Sequence, residues 1–141
     1  MTYILAGKLN NRGFIIVDKV VNDNPNEMVT NKLFHPSSNP NIHLSLSGLE
    51  LLMNIIKKYD KELHDQNKQL EINDTTFDYL GKELEKYSFF GVINHFVYII
   101  NHKEVLRYDL IFENKKYVRC SCIIIKEGEF LYCTEIETIS M

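Results

Sequence analysis

The first 47 residues form short apolar runs separated by turn residues, which is a pattern typical of β-strands. Residues 2–9 and 14–17 predict two strands. The "NNRG" between them (10–13) predicts a hairpin turn, because Asn and Gly tolerate the positive φ of short hairpins. The run 14–17 is apolar throughout, so we expect that strand to be covered on both faces. A loop is expected at "NDNPNE" (22–27) and a short strand at "MVTNKLF" (28–34).

Alternation and then helical spacing follow in the middle of the chain. "IHLSLSG" (42–48) alternates apolar and polar residues, as a half-buried strand does. Ser47 and Glu50 fit a capping box at the start of a helix, and a second helix is expected to begin near Asp74 or Thr75, again at a box-like sequence. The apolar stripe of the first helix is Leu52, Ile55, Ile56, Tyr59 and Leu63. That of the second is Phe77, Leu80, Leu84 and Tyr87.

The last third of the chain predicts one strand after another, at "INHFVYIIN", "EVLRYDLIFE", "KYVRCSCIII" and "EFLYCTEIET". In the second of these, Arg107, Asp109 and Glu113 share one face, which should meet water or a polar partner. The predicted order is about four strands, two helices and about four strands. We therefore expect one α+β domain over residues 1–141, with stacked antiparallel sheets and one layer of two helices on one side.

Composition narrows the class of protein. The chain has 141 residues, 45% of them hydrophobic and 25% charged, which is the balance of one globular domain. The net charge is −3 with scattered Lys and Arg, so a nucleic-acid partner is not expected. No apolar run approaches the roughly 20 residues of a membrane span, and no secretory signal is evident. Three Cys, an odd number, favour a reducing compartment, and a cytoplasmic location is expected. The charges of "KKYDKELHDQNKQ" (57–69) are interpreted as a solvated helix face.

Taken in order, these features resemble one family. A strand that starts at Thr2, a hairpin, a second strand that ends in Asp18, "NK" with Lys32, and a strand whose closing "SG" contains Gly48 together resemble the proteasome β-subunit and HslV-like peptidases. These are N-terminal-nucleophile (Ntn) hydrolases, and the resemblance covers roughly the first 70 residues. It implies stacked antiparallel sheets between helical layers and a nucleophilic Thr exposed by processing.

The resemblance also implies a role for each of the four residues. Thr2 would attack an amide once Met1 is removed, with its own α-amine as the base. Lys32 would favour the neutral amine, Asp18 would hold Lys32, and the Gly48 N–H would stabilise the oxyanion. The substrate would be a peptide or protein, no cofactor or metal would be needed, and self-association or a related subunit is expected.

The chain departs from the family pattern in three places. Lys19 and Val20 follow Asp18, where a small residue and then a polar one are usual, and the later "GSG"-type loop has no counterpart. Two further helices that the family carries are not found, so one helical layer is expected to be missing. An inactive scaffold or interaction module that keeps the fold is therefore the alternative function.

Other candidate chemistry rests on the Cys and His residues. Cys120 and Cys122 share a predicted strand face, and Cys133 on the next strand with a His would complete a metal site, although the spacing matches no standard zinc pattern. Buried structural Cys is the competing interpretation. The five His residues show no pairing by sequence; they are His35, His43, His64, His95 and His102.

Overall fold

The computed structural model describes residues 3–18, 20–21, 24–28, 33–87 and 94–134. Within these ranges the elements are β1 (Tyr3–Leu9), β2 (Arg12–Val17), β3 (Val20–Val21), β4 (Asn24–Met28), β5 (His43–Ser47), α1 (Glu50–Asp65), α2 (Asp74–Glu85), β6 (His95–Ile100), β7 (Val105–Glu113), β8 (Lys116–Ile125) and β9 (Phe130–Thr134). The mixed α+β class with antiparallel sheets and two helices is confirmed.

A three-stranded antiparallel sheet has the order β2-β1-β9. The predicted hairpin joins β1 to β2, and Asn10 and Asn11 take the positive φ values of 54° and 62° that a two-residue turn needs. β2 lies at the edge of this sheet, and Ile16 is 58% exposed. The expectation that 14–17 is covered on both faces is therefore wrong. An apolar strand is buried on both faces only where another layer packs on each of them. At Ile16, one face of β2 is not covered by another layer.

A small hairpin, β3 with β4, forms a separate two-stranded sheet. The loop expected at 22–27 is wrong in part, because Asn24–Met28 is a strand. The short strand expected at 28–34 lies largely outside the described residues. Within its described part, Phe34 forms an isolated bridge with Leu44, with backbone N···O distances of 2.7 and 2.8 Å.

The second large sheet is four-stranded and antiparallel, with the order β5-β6-β7-β8. The sequence predicts turns at "NHK" (101–103) and "ENKK" (113–116), and β6, β7 and β8 are joined there. Asn114 and Lys115 have positive φ between β7 and β8.

The polar face of β5 meets water only in part, because Ser45 and Ser47 are buried whereas His43 is exposed. Ser45 pairs with Tyr98, which belongs to the cluster packed against the three-stranded sheet, so that sheet covers this face beyond His43.

The main core lies between this sheet and the helices. Phe77 of α2 stacks on Tyr108 of β7 with ring centroids 4.0 Å apart, and Leu52 of α1 belongs to the same buried cluster. The other core side chains on the strands and helices are Leu44, Leu46, Met53, Ile56, Leu80, Leu84, Val97, Ile99, Leu106 and Leu110. Ile42 and Leu70 join this core from the adjoining loops. Both predicted helical stripes are confirmed as core except Tyr87, which follows α2 and is exposed.

The opposite face of the four-stranded sheet packs against the three-stranded sheet. Ile4 and Ala6 of β1 form a buried cluster with Tyr98, Val105 and Ile125. The layers are therefore three-stranded sheet, four-stranded sheet and helix pair. The polar face of β7 is therefore directed toward the other sheet, where Arg107 and Asp109 bind each other and are mostly buried.

Both helix starts differ from the expected caps. Ser47 is the last residue of β5, and α1 begins two residues after Gly48, with Leu49 as its N-cap and no side-chain cap bond. Ser47 ends β5, where it pairs with Phe96, two residues before the N-cap position, so the expected capping box is not formed at Ser47. At α2 the start near Asp74 is confirmed, but the cap is Asn73, whose side chain accepts a hydrogen bond from the Thr76 N–H at 2.9 Å.

One charged residue in the segment expected to be solvated is buried. Asp60 of α1 is only 3% exposed. Its carboxylate accepts hydrogen bonds from the backbone N–H and the hydroxyl of both Ser37 and Ser38. The Ser38 hydroxyl also accepts from the N–H of Leu70, and Asn39 donates to the Leu70 carbonyl at 2.8 Å. This network, the Asp60 network, fixes the loop before β5 onto the helix layer.

Candidate functional site

Asp18 closes the open end of the β1–β2 hairpin. Its carboxylate accepts a hydrogen bond from the Tyr3 N–H at 3.1 Å, and its own N–H donates to the Tyr3 carbonyl at 3.1 Å. Tyr3 is the residue after Thr2 in the sequence. The hairpin register, which pairs Ile4 with Val17, brings these chain segments together.

Gly48 directly follows β5 and has a φ of +139°, in the region that L side chains rarely adopt. A Cβ at this position would lie 2.6 Å from Cδ2 of His95, so the buried His95 ring packs directly on the Gly48 backbone. A capping box at Ser47 and Glu50 would place Gly48 in the first turn of the helix, but α1 begins at Glu50, so this expectation is wrong. A glycine lets another group approach its backbone closely, and in this structure the group that does so is the His95 ring.

Thr2 and Lys32, the other two residues of the expected quartet, lie outside the described residues. The structure therefore bears on Asp18 and Gly48 alone. These two belong to different sheets: Asp18 follows a strand of the three-stranded sheet, and Gly48 follows a strand of the four-stranded sheet.

The sheet contacts indicate that Asp18 and Gly48 lie toward the same end of the molecule. At the far end, Lys8 donates to the Lys103 carbonyl at 3.2 Å, and Gly13 lies against Val105. Stacked sheets keep their strand directions within about 30°. The other end of β1, which holds Tyr3 and Asp18, is therefore directed toward the end where β5 finishes, just before Gly48.

That end of the four-stranded sheet carries an ion pair directed toward the first sheet. Arg107 binds Asp109 through two hydrogen bonds, Nε to Oδ1 at 2.7 Å and a terminal guanidinium nitrogen to Oδ2 at 2.9 Å. The guanidinium also lies over the Phe96 ring, 4.6 Å from its centroid. Burial lowers the pKa of Arg107, but the bond to Asp109 and its charge outweigh burial, so the net shift is upward.

Sequence reasoning placed Arg107 and Asp109 on one face but did not pair them. The signal was available, since residues two apart on a strand have side chains on the same side. In the register, Asp109 lies opposite Phe96, which lies opposite Ser47. The end of the sandwich that holds Asp18 and Gly48 is thus also the end with this charged pair.

Two of the five His residues, for which the sequence indicates no pairing, are in contact in the structure. The rings of His35 and His43 lie 4.3 Å apart between centroids, at 31°. Nδ1 of His35 lies 3.0 Å from the Ile42 carbonyl oxygen. Burial and then the charge of His35 lower the pKa of His43. Both residues flank the loop that the Asp60 network fixes.

The two described Cys residues are unfavourable as nucleophiles. Burial and then the Asp78 carboxylate raise the pKa of Cys120 to about 11, and burial raises that of Cys122. Both stay protonated at neutral pH, and the thiolate is the reactive form. In the described part of the chain, no group of three or more His, Cys, Asp or Glu is placed to hold a metal ion. The side chain of Cys133 lies outside it.

None of the described helices is long and apolar enough to cross a bilayer. No protein-family model matches the chain, and no curated protein sequence matches it.

Proposed function

We propose that the chain is a compact Ntn-type amide-bond hydrolase, with Thr2 as its nucleophile and a peptide or protein as its substrate. The observation that carries the proposal is the contact of Asp18 with Tyr3, at the end of a stacked pair of antiparallel sheets. This contact puts a carboxylate beside the residue that follows Thr2. The sequence resemblance supplies the rest of the argument.

In the proposed reaction, the Thr2 hydroxyl attacks the amide carbonyl while its own α-amine accepts the proton. An α-amine titrates near ~8, so an appreciable part is neutral at working pH. Lys32 would increase that part by like-charge repulsion, and Asp18 would orient Lys32. The oxyanion would be stabilised by backbone N–H groups at Gly48 and at the start of α1, which have no helical acceptor.

The proposal requires Thr2 to be the first residue of the working protein. Intact mass of protein purified from its native host tests this directly, since removal of Met1 lowers the mass by one Met residue. An electrophile that reacts with both the hydroxyl and the α-amine of an N-terminal Thr should then label the wild type. Thr2→Ala should abolish both labelling and hydrolysis of short peptides. Quantitative retention of Met1 would refute this mechanism.

A matched pair of variants separates catalysis from folding. Asp18→Asn keeps a carbonyl oxygen that can accept from the Tyr3 N–H, so we expect the fold to persist while activity drops at least about tenfold. Asp65→Asn, at an exposed acid at the end of α1, is the control and should leave activity unchanged. Equal activity of the two variants would show that Asp18 takes no part in the reaction.

The second candidate function is a non-catalytic assembly module. The observation that favours it is that three large apolar side chains of the three-stranded sheet, Ile16, Phe130 and Tyr132, are more than half exposed. If the wild type shows neither labelling nor hydrolysis although Thr2 is N-terminal, this candidate takes precedence.

A further inference from the structure

His35 and His43 face each other across the two chain segments that enclose the loop before β5. Phe34 and Leu44 exchange both backbone hydrogen bonds, at N···O distances of 2.7 and 2.8 Å. The next residues, His35 and His43, therefore occupy a pair of positions without backbone hydrogen bonds, where opposite side chains approach most closely. Their rings accordingly lie 4.3 Å apart between centroids, on the side opposite to Phe34 and Leu44.

The backbone determines which nitrogen of His35 carries the proton. Nδ1 of His35 lies 3.0 Å from the carbonyl oxygen of Ile42. A carbonyl oxygen only accepts hydrogen bonds, so Nδ1 is the donor, and in the neutral ring Nε2 keeps its lone pair. Metal-binding His residues are oriented by the same kind of bond, from the second ring nitrogen to a backbone carbonyl. His35 is also exposed, so an ion from solvent can reach this lone pair.

The spacing of the two rings suits one ion bound by both. Two imidazoles bound to the same ion at about 90°, with metal–nitrogen distances of about 2.0–2.1 Å, have their centroids about 4.5 Å apart. The observed separation of 4.3 Å is close to this value. His43 is exposed, and its ring turns about χ2 with little displacement of its centroid. A nitrogen of His43 can therefore reach the ion that Nε2 of His35 binds.

The chain segments that carry the two rings are held in place on both sides. The Phe34–Leu44 bridge closes one end of the loop, and the Asp60 carboxylate binds Ser37 and Ser38 within it. Ligands that are already in position lose little conformational entropy when an ion binds. Two rings on such a frame should therefore bind one ion more tightly than a single exposed His does.

We propose that His35 and His43 form a surface site for a divalent transition-metal ion, with water in the remaining coordination positions. Imidazole suits Ni²⁺, Cu²⁺ and Zn²⁺, and ligands about 90° apart favour Ni²⁺ and Cu²⁺ over the tetrahedral Zn²⁺. In the described part of the chain, no further His, Cys, Asp or Glu completes a set of three ligands, so we expect an exchangeable ion. This inference goes beyond the proposed reaction and does not depend on Thr2.

NMR of the His ring protons during titration with NiSO₄ tests the proposal on the full chain without an affinity tag, at about pH 8, where imidazole is neutral. Ni²⁺ is paramagnetic and broadens the signals of the rings that it binds. The signals of His35 and His43 should broaden together over one concentration range, while those of the exposed His64 and His102 stay sharp. Mn²⁺ is also paramagnetic but prefers oxygen ligands, and at the same concentrations it should not select the two rings.

Variants distinguish one shared ion from two independent rings. In isothermal titration with Ni²⁺, His35→Gln and His43→Gln should each weaken binding at least about tenfold, because either change leaves a single ring. The double variant should bind within about twofold of each single variant, since the two rings act on the same ion. His64→Gln is the matched control, because His64 is an exposed His on α1, and it should change the affinity less than about twofold.

The ring-proton measurement uses the wild type alone, so it does not depend on how well the variants fold. Broadening of only one of the two rings, or of each over a different concentration range, overturns the proposal. Equal effects of His35→Gln and His64→Gln also overturn it, as does an additive loss of affinity in the double variant. Binding of Ni²⁺ at Cys120 or Cys122 instead would leave both ring signals sharp, and that result overturns the proposal as well.

Discussion

The Asp60 network offers the sharpest test of how this fold is held together. Asp60→Asn replaces one carboxylate oxygen by an NH₂ group, which then faces N–H and O–H donors that the carboxylate had accepted. Asp60→Ala removes both acceptors. The two Ser N–H groups lie 3.0 Å from the carboxylate oxygens in the wild type, so both are engaged by well-formed hydrogen bonds.

The size of the stability loss depends on which of the Ser donors remain accessible to water. Ser37 is exposed and its groups can bind water, whereas Ser38 is partly buried beside Leu70, which is 2% exposed. A buried donor left without an acceptor costs about 1–3 kcal/mol. We expect Asp60→Asn to lower the free energy of unfolding by about 1–3 kcal/mol. Asp60→Ala should lower it by about 2–4 kcal/mol, since more donors lose their acceptor.

Urea unfolding followed by circular dichroism or tyrosine fluorescence measures this change, because the chain has eight Tyr and no Trp. The denaturant midpoint should fall while the slope with denaturant stays constant. Asp65→Asn on the same helix is exposed and should change stability by less than about 0.5 kcal/mol. If Asp60→Asn and Asp65→Asn have the same effect, the carboxylate does not fix the loop, and the burial argument fails.

Three further predictions concern His43, Cys120 and Gly48. Folding lowers the pKa of His43, so protonation favours the unfolded chain. The contribution of His43 to the free energy of unfolding is therefore full above pH 6.5 and declines as the pH falls below that value. In urea titrations at a series of pH values, His43→Gln should reduce the dependence of the free energy of unfolding on pH. In a chain with Cys122→Ser and Cys133→Ala, the rate of alkylation of Cys120 should rise with pH and reach its inflection near pH 11. Asp78→Asn should lower the pH of that inflection, because the Asp78 carboxylate raises the pKa of Cys120. An inflection near pH 9 would contradict the raised pKa of Cys120. Gly48→Ala should lower the free energy of unfolding by about 1–3 kcal/mol more than Gly128→Ala. Both glycines have positive φ, but only Gly48 is packed against a ring. Equal losses of stability in thermal unfolding would show that the His95 ring moves aside at little energetic cost.

Local pattern was sufficient for the elements whose faces are set by one neighbouring layer. Leu52 and Ile56, and likewise Leu80 and Leu84, recur at helical spacing and pack on one sheet, so periodicity identifies them. The turn at 10–11 is predicted by residues that tolerate positive φ, and the turn at 114–115 by the polar "ENKK" between two apolar strands. These features need no knowledge of distant parts of the chain.

Features set by distant segments were not predictable in this way. The sequence indicates a solvated Asp60, because charged side chains usually lie at the surface. In the structure, its carboxylate is bound by hydrogen-bond donors from a loop 22 and 23 residues earlier in the chain. Ile16 looked buried because its neighbours are apolar, yet the edge position of β2 decides its exposure. In the candidate site, the sequence indicated Asp18 and Gly48 as element ends. It could not show that Tyr3 binds the first and that His95 packs on the second.

The pairing of β1 with β9 constrains when the molecule can fold during its synthesis. β1 is the central strand of its sheet, and one of its two neighbours, β9, begins about 120 residues later, at Phe130. At roughly 5–20 residues per second, the first hairpin waits on the order of 10 s for that neighbour. During this time one edge of β1 is unpaired next to exposed apolar side chains, which is when strand edges aggregate. We therefore expect the nascent hairpin, with Asp18 already at its open end, to be a binding site for chaperones until Phe130–Thr134 has left the ribosome.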